Sequence, residues 1–219
     1  MTRCECGLRF VPGIPEDDSA HRRMHDEYAN GPVLETIEYL SPIGHLDDLV
    51  VVVADATTPA MRRRQLAKVA YVAQIEMSDY PAGYDGTITE ADERLFLVVD
   101  GSRCVAFVLT SLDEPHWRLK WKPDGSLEHA EQDAIVGERQ KIGRVWVAKA
   151  RRSGRIATGL LMIVARDLGY ELRDLGWELP LAGDGRRLLR RLLPDTWLGR
   201  GDAFALSETL DPPLEGTTG

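Results

Sequence analysis

The stretch that decides the fold is VWVAKARRSGRIATGLLMIVARDLGY, residues 145–170. An apolar strand is predicted over residues 142–148, and a helix is predicted over residues 156–170. Between them lie basic and small residues. A strand that leads directly into a helix presents free backbone N–H groups and the positive end of the helix dipole, which together favour an anion. The basic segment 152–157 is therefore a candidate phosphate site, and an ordinary turn with solvated arginines is the alternative.

The elements upstream of this junction predict a sheet. The uncharged run at residues 49–54, rich in valine, is typical of a strand buried on both faces. Apolar residues at three- and four-residue steps predict a helix over residues 59–78. Two strong strands are predicted at residues 95–99 and 105–109, and Asp100-Gly101 between them predicts a hairpin. Residues 33–39 alternate loosely enough to predict a further strand.

This order of elements resembles the GNAT superfamily of acetyltransferases, and most specifically the cohesin acetyltransferases of the Eco/ESCO type. In that family the strand reads Arg-Ile/Val-Trp-Val and a basic run ending in Ile-Ala follows, as residues 144–147 and 152–157 do here. The position where the general GNAT motif has its first glycine holds Arg155, and the resembling family also has a basic residue there. The resemblance implies an α+β GNAT fold, a mixed and mostly antiparallel sheet flanked by helices. It also implies an acetyl-CoA site formed by Trp146, Val147, Arg152, Ser153, Gly154, Arg155, Ile156 and Ala157.

A metal site is predicted near the N-terminus. Two thiols and two imidazoles, from Cys4, Cys6, His21 and His25, form a set suited to tetrahedral Zn²⁺, and the three-residue gap between the histidines places both rings on one helical face. Incidental surface residues are the alternative. The segment also resembles the Eco/ESCO zinc finger, except that the family has two residues between its cysteines and this chain has one. We expect a finger at residues 1–30, an acetyltransferase domain at 31–210 and a disordered tail at 211–219, with Cys104 as buried packing.

Two carboxylates are candidates for the proton transfers that amine acetylation needs. In the resembling family a Ser-Asp-Pro segment after the cofactor helix supplies a carboxylate, and its counterpart here is Trp177-Glu178-Leu179-Pro180. Glu178 is therefore the first candidate. Glu138, upstream of the strand that carries Trp146, is the second, because GNAT enzymes often hold a general base there. For either residue, a surface carboxylate without a catalytic role is the alternative.

Composition limits the function classes. A net charge of −8 and a pI near 5.2 argue against a protein that mainly coats phosphate backbones. No stretch has the length and apolarity of a membrane span or a secretory signal, so we expect a cytoplasmic protein without a membrane partner. The excess of Arg over Lys is compatible with a bacterial or phage gene.

The predicted function is transfer of an acetyl group from acetyl-CoA to an amine, with a protein lysine preferred over a small-molecule amine as the acceptor. Two alternatives stay open. One is a GNAT-like zinc-finger module whose catalysis is impaired, and the other is a nucleic-acid base modifier, which the acidic balance disfavours.

Overall fold

The computed structural model describes residues 1–200 except 36, 77–91, 115, 132, 153, 180 and 182. The strands are β1 (Thr2–Arg3), β2 (Arg9–Phe10), β3 (Ser41–Leu46), β4 (Leu49–Ala54), β5 (Arg94–Asp100), β6 (Arg103–Asp113), β7 (Trp117–Trp121), β8 (Leu127–His129), β9 (Arg139–Val147), β10 (Gly176–Glu178) and β11 (Thr196–Arg200). The α-helices are α1 (Pro15–Asn30), α2 (Ala60–Glu76), α3 (Ile156–Leu168) and α4 (Gly183–Leu192). Short 3₁₀ turns lie at Lys149–Arg151 and Leu172–Asp174. The expected tail and the expected end of the acetyltransferase domain lie outside the described residues.

The chain forms two compact units. The first contains Met1–Ser111 and Gly143–Gly169, and the second contains Leu112–Ile142 and Tyr170–Gly219. Strands β6 and β9 contribute residues to both units. No helix among the described residues has both the length and the apolar character that crossing a bilayer would require.

The sheet of the first unit is built on strands β3 to β6, each antiparallel to the next, with β9 beside β6. Strand β4 is buried as its valine-rich run predicts, with Val51 and Ala54 fully enclosed. The predicted hairpin joins β5 to β6 through a two-residue loop, where Gly101 has a φ of +58°. Residues on both faces of β5 and β6 are buried, which explains their continuous apolar runs.

The strand predicted at residues 33–39 is wrong. Among the described residues of this segment, only Val33 pairs, in an isolated bridge with Arg103, and the chain then turns, with the Leu40 N–H donating to the Ile37 carbonyl. Gly31, two residues before Val33, has a φ of +92° and ends α1 close against β6. A Cβ at this position would overlap the carbonyl oxygen of Cys104, so glycine lets the chain leave α1 beside the sheet.

Helix α3 packs on the sheet of the first unit with one buried face, formed by Leu160, Leu161, Ile163, Val164 and Ala165. Gly159 lies against Leu46 of β3, where a side chain would not fit, and this lets the first turns of α3 approach the sheet. Gly169 caps the helix in the left-handed conformation with a φ of +75°. The start of α3 is thus held at a defined place.

In the second unit, β10 is parallel to both β9 and β11, and β11 is antiparallel to β7, which pairs with β8. Gly176 of β10 pairs with Lys141 of β9. Trp197 of β11 is fully buried and lies 5.7 Å from Trp121 between ring centroids. The core of this unit is therefore partly aromatic.

Candidate functional site

The four predicted metal ligands lie together. The ligand atoms of Cys4, Cys6, His21 and His25 are all within 4.8 Å of one another. The Sγ atom of Cys4 is 3.3 Å from Nδ1 of His25, close to the separation of two ligands on one tetrahedral zinc ion. Both histidines lie on α1, one turn apart, as their spacing predicts.

The single residue between the cysteines does not prevent them from converging. The Gly7 N–H donates to the Cys4 carbonyl at 2.9 Å, and the Cys4 N–H donates to the Leu8 carbonyl at 2.9 Å, which closes a tight turn. Gly7 has a φ of +85°, a conformation that favours glycine. This turn brings the thiol of Cys4 into the cluster beside the buried thiol of Cys6.

The residues fit a zinc ion. His21 stacks on Phe10 at 3.9 Å, and its Nε2 atom is buried without a hydrogen-bond partner among the described residues. A buried ring nitrogen without a partner is costly unless it binds a ligand. Burial raises the pKa of the Cys6 thiol, although hydrogen bonds from backbone groups oppose this. Metal coordination would favour the thiolate instead. The donor set of two thiolates and two imidazoles is one that closed structural zinc sites use.

The predicted cofactor segment lies in the first unit, where β9 leaves the sheet. Trp146 is buried and stacks on Phe107 with 6.0 Å between centroids. The Ala148 N–H donates to the Val105 carbonyl at 2.8 Å, and the 3₁₀ turn Lys149–Arg151 follows. The chain then enters α3 at Ile156. We call the described residues of this segment, 149–152, 154 and 155, the cofactor turn, after the role that the sequence predicts for it.

The side chains of the cofactor turn differ in exposure. Gly154 and Arg155 are exposed, and Arg155 is the N-cap of α3 without making a side-chain capping hydrogen bond. Arg152 is half-buried, and its Nε atom donates to the Val147 carbonyl at 2.9 Å. Ile156 and Ala157 form the first turn of α3 and are half-buried, whereas Ser153 lies outside the described residues. The exposed helix start has the N–H groups and positive dipole end that bind phosphates.

The first catalytic candidate, Glu178, lies at the end of β10 in the second unit. Its Oε2 atom accepts a short hydrogen bond from Nζ of Lys141, a residue that the sequence did not single out. Lys141 also donates to Asp113 at 2.8 Å, and Asp113 is paired with Arg200 at 2.6 Å. In this network of two carboxylates and two cations, the Lys141 side chain is only 9% exposed, whereas the Arg200 side chain is 40% exposed.

Two groups near Lys141 have shifted pKa values. Burial of Asp113 opposes its ionisation, but the hydrogen bond and charge of Lys141, together with Arg200, hold its pKa below the ordinary value of 3.8. Burial lowers the pKa of His116, the nearby cations Lys141, Arg139 and Arg200 add to this effect, and Asp113 opposes it. The shift favours the neutral imidazole of His116. A Cβ at Gly176 would overlap its ring, so glycine makes room for it.

Glu138, the second candidate, is exposed and precedes β9. It takes no part in the network around Lys141. The structure thus brings Glu178 into a charged cluster and leaves Glu138 in solvent.

No protein-family model matches the chain, and no curated protein matches its sequence. Among solved structures, it is similar to the xEco2 acetyltransferase domain bound to a lysine–CoA conjugate, at 13% identity and a TM-score of 0.62, over 74% of this chain and 98% of that one. It is also similar to another structure of the xEco2 acetyltransferase domain, at 15% identity and a TM-score of 0.56, over 76% and 99%. The chain has the GNAT fold. The predicted fold class is confirmed.

Residue types and spacing predicted the Cys/His cluster that the structure brings together, whereas Lys141, Asp113 and His116 were missed. The cofactor role of residues 152–157 stays a prediction. A signal existed for Lys141, because a lysine directly precedes the apolar Ile142 in a predicted strand and must either face solvent or find partners. Its partners are 28 and 37 residues away in the sequence, and nothing local indicates them.

We predict that the purified chain binds one Zn²⁺, and that Cys6→Ser and His21→Ala each lower its zinc affinity at least ~100-fold, more than loss of an outer partner typically costs. Metal analysis after dialysis and competition with a chromophoric chelator would measure this. Cys104→Ala is the control, because burial raises the pKa of the Cys104 thiol to about 12 and it lies outside the cluster. Zinc well below one per wild-type chain would disprove the site.

Lys141→Met should lower the free energy of unfolding by about 2 kcal/mol at pH 7, because it leaves two neighbouring carboxylates without their shared cation. The depressed pKa of Asp113 contributes stability that is complete above its unfolded-state pKa and is lost as pH falls through the folded-state pKa. The difference in the free energy of unfolding between Lys141→Met and the wild type should therefore become smaller only below about pH 4.

Urea unfolding between pH 7 and pH 3 would measure this difference. The control is Lys120→Met, which removes an exposed pair with Glu128 and should cost less than about 0.5 kcal/mol. Equal losses of unfolding free energy in the two variants would show that Lys141 stabilises the chain no more than an exposed lysine does.

Proposed function

We propose that this chain is an acetyl-CoA-dependent N-acetyltransferase whose acceptor is an amine, with a protein lysine as the preferred acceptor. The observation that carries the proposal is the exposed start of α3 after the cofactor turn, in a chain with the GNAT fold. The lysine–CoA conjugate bound to the xEco2 domain supports a lysine acceptor. Acetyl-CoA would supply the activated acetyl group, and the acceptor nitrogen forms a C–N bond as the thioester C–S bond breaks.

The cofactor turn would bind the pyrophosphate of acetyl-CoA. Residues 155–157 are the N-cap and the first two positions of α3, so their N–H groups have no intrahelical acceptors, and the exposed Gly154 precedes them. Arg155 adds an exposed positive charge at the same place. Arg152 has a different role in this proposal, because its hydrogen bond to Val147 turns it back toward the strand. It shapes the turn, and Arg155 meets the ligand.

Glu178 would accept the proton that the amine loses. Its Oε2 atom is held by Lys141, and its Oε1 atom makes no hydrogen bond to any described residue. This arrangement fixes the carboxylate while leaving one oxygen able to receive a proton. The departing CoA thiolate takes up a proton from solvent or from the acceptor side, so that charge balances over the cycle.

The proposal predicts separable effects of two variants. Arg155→Ala should raise the Kd for acetyl-CoA about ten-fold, because it removes one charge-assisted contact. Glu178→Gln should leave that Kd unchanged but lower kcat for amine acetylation ~100-fold, because glutamine keeps the Lys141 hydrogen bond and cannot accept the proton. Calorimetry and thiol release with a panel of lysine peptides and small amines would measure these two effects.

The matched controls are Arg173→Ala and Glu128→Gln, which remove an exposed arginine and a surface carboxylate elsewhere in the chain. Absence of acetyl-CoA binding would contradict the proposal. Tight acetyl-CoA binding without transfer to any acceptor would favour the binding module with impaired catalysis.

A further inference from the structure

Glu5 lies between the metal cluster and the cofactor turn within the first unit. It separates the two cysteines in the sequence. Its Oε2 atom pairs with Nζ of Lys149 at the start of the cofactor turn, and its Oε1 atom is 4.0 Å from Nε2 of His25. One carboxylate is therefore bonded to the cofactor turn and lies near a metal-ligand imidazole.

Tyr28 forms a second contact from the same finger. It lies three residues after His25 on α1 and is the buried residue of that helix, at 5% exposure. Its ring centroid is 5.7 Å from Nζ of Lys149 and 5.6 Å from Cζ of Arg152, both within the range of a cation–π interaction. Because Arg152 also donates to Val147, Tyr28 supports the side chain that shapes the turn.

The far end of α1 is anchored independently of the metal. Asp26 pairs with Arg103 of β6 at 2.9 Å, and Arg103 donates to the Gly31 carbonyl at 2.8 Å. The segment that bears Glu5 has only two-residue strands, β1 and β2, but Cys6 is buried in the core of the first unit and Cys4 packs against that core. Ligation of these two cysteines, on either side of Glu5, would fix the position of Glu5 further.

We propose that the metal centre holds the cofactor turn in its binding conformation, so that zinc and acetyl-CoA bind with positive linkage. Glu5 and Tyr28 are the positioning residues that transmit this linkage. The inference rests on the proposed function, because it takes residues 149–155 as the cofactor site. Linkage is reciprocal, so the factor by which zinc strengthens CoA binding equals the factor by which CoA strengthens zinc binding.

Glu5 allows a test in which two explanations predict opposite signs. Charge alone would make Glu5→Gln bind CoA more tightly, because the substitution removes a negative charge beside a site for phosphates. Positioning predicts weaker binding, because Lys149 and the turn lose their link to the metal centre. Tyr28→Leu tests the second contact without changing any charge, and it keeps an apolar side chain in the buried position.

The experiment uses the full zinc-loaded chain and CoA as the probe. Calorimetry should give a Kd for CoA about three- to five-fold higher for Glu5→Gln and for Tyr28→Leu than for wild type. The control, Glu16→Gln, removes an exposed acid from the first turn of α1 and should leave the Kd unchanged. Metal analysis of each variant shows that it still holds zinc.

Competition with a chelator supplies a readout that does not depend on activity. Saturating CoA should raise the zinc affinity of the wild-type chain about five-fold, and it should raise that of Glu5→Gln less. Unchanged or tighter CoA binding by Glu5→Gln, or a zinc affinity that CoA does not alter, would overturn the linkage while leaving the proposed function intact. Failure of the zinc-loaded wild type to bind CoA would instead overturn the proposed function, and the linkage with it.

Discussion

The hydrogen bond from the Ala148 N–H to the Val105 carbonyl marks where β9 leaves the sheet, and the arrangement of the first unit depends on that point. Beyond it the backbone makes one 3₁₀ turn and enters α3, whose position is set by the close approach of Gly159 to Leu46. A strand and a helix that are both fixed leave the connecting turn little freedom. The N–H groups at the start of α3 are therefore oriented before any ligand arrives, which lowers the entropy lost on binding.

The predicted zinc finger, residues 1–30, also contacts the cofactor turn. A finger of thirty residues with two-residue strands has too small a core to be stable alone, so both zinc and contact with the larger sheet contribute to its folding. Its contacts with the sheet include the Asp26–Arg103 ion pair and the glycine at position 31 that passes against Cys104. Its contacts with the turn are polar and cationic, through Glu5 and Tyr28. In the proposed linkage, a structural metal in this position would affect a ligand site without touching the ligand.

In the second unit, two carboxylates lie around one largely buried lysine. Lys141 is largely buried and is compensated by Asp113 and Glu178, and Asp113 also pairs with Arg200. Removing one partner of such a network is more costly than replacing the whole network with apolar residues. For Glu178 the same network gives a defined orientation, which a carboxylate on a free loop would lack. His116 is fully buried and a Cβ at Gly176 would overlap its ring, so this part of the unit is tightly packed.

Local patterns predicted what local interactions determine. The valines of β4, the Asp-Gly hairpin and the strand that carries Trp146 follow from periodicity and turn chemistry, and the four metal ligands follow from residue type and spacing. The strand expected after Gly31 was wrong because its residues find no neighbouring strand beyond Val33. The Lys141 network and the contact of Tyr28 with Arg152 could not be predicted, because each joins residues more than 25 positions apart that only the folded chain brings together.

A crystal structure of the zinc-loaded chain with CoA would test the central claim most directly. We expect the pyrophosphate to lie against the backbone N–H groups of residues 154–157, with the Arg155 guanidinium beside it. The Arg152 side chain should still be turned toward Val147 and Tyr28. A pyrophosphate bound away from the start of α3 would contradict it.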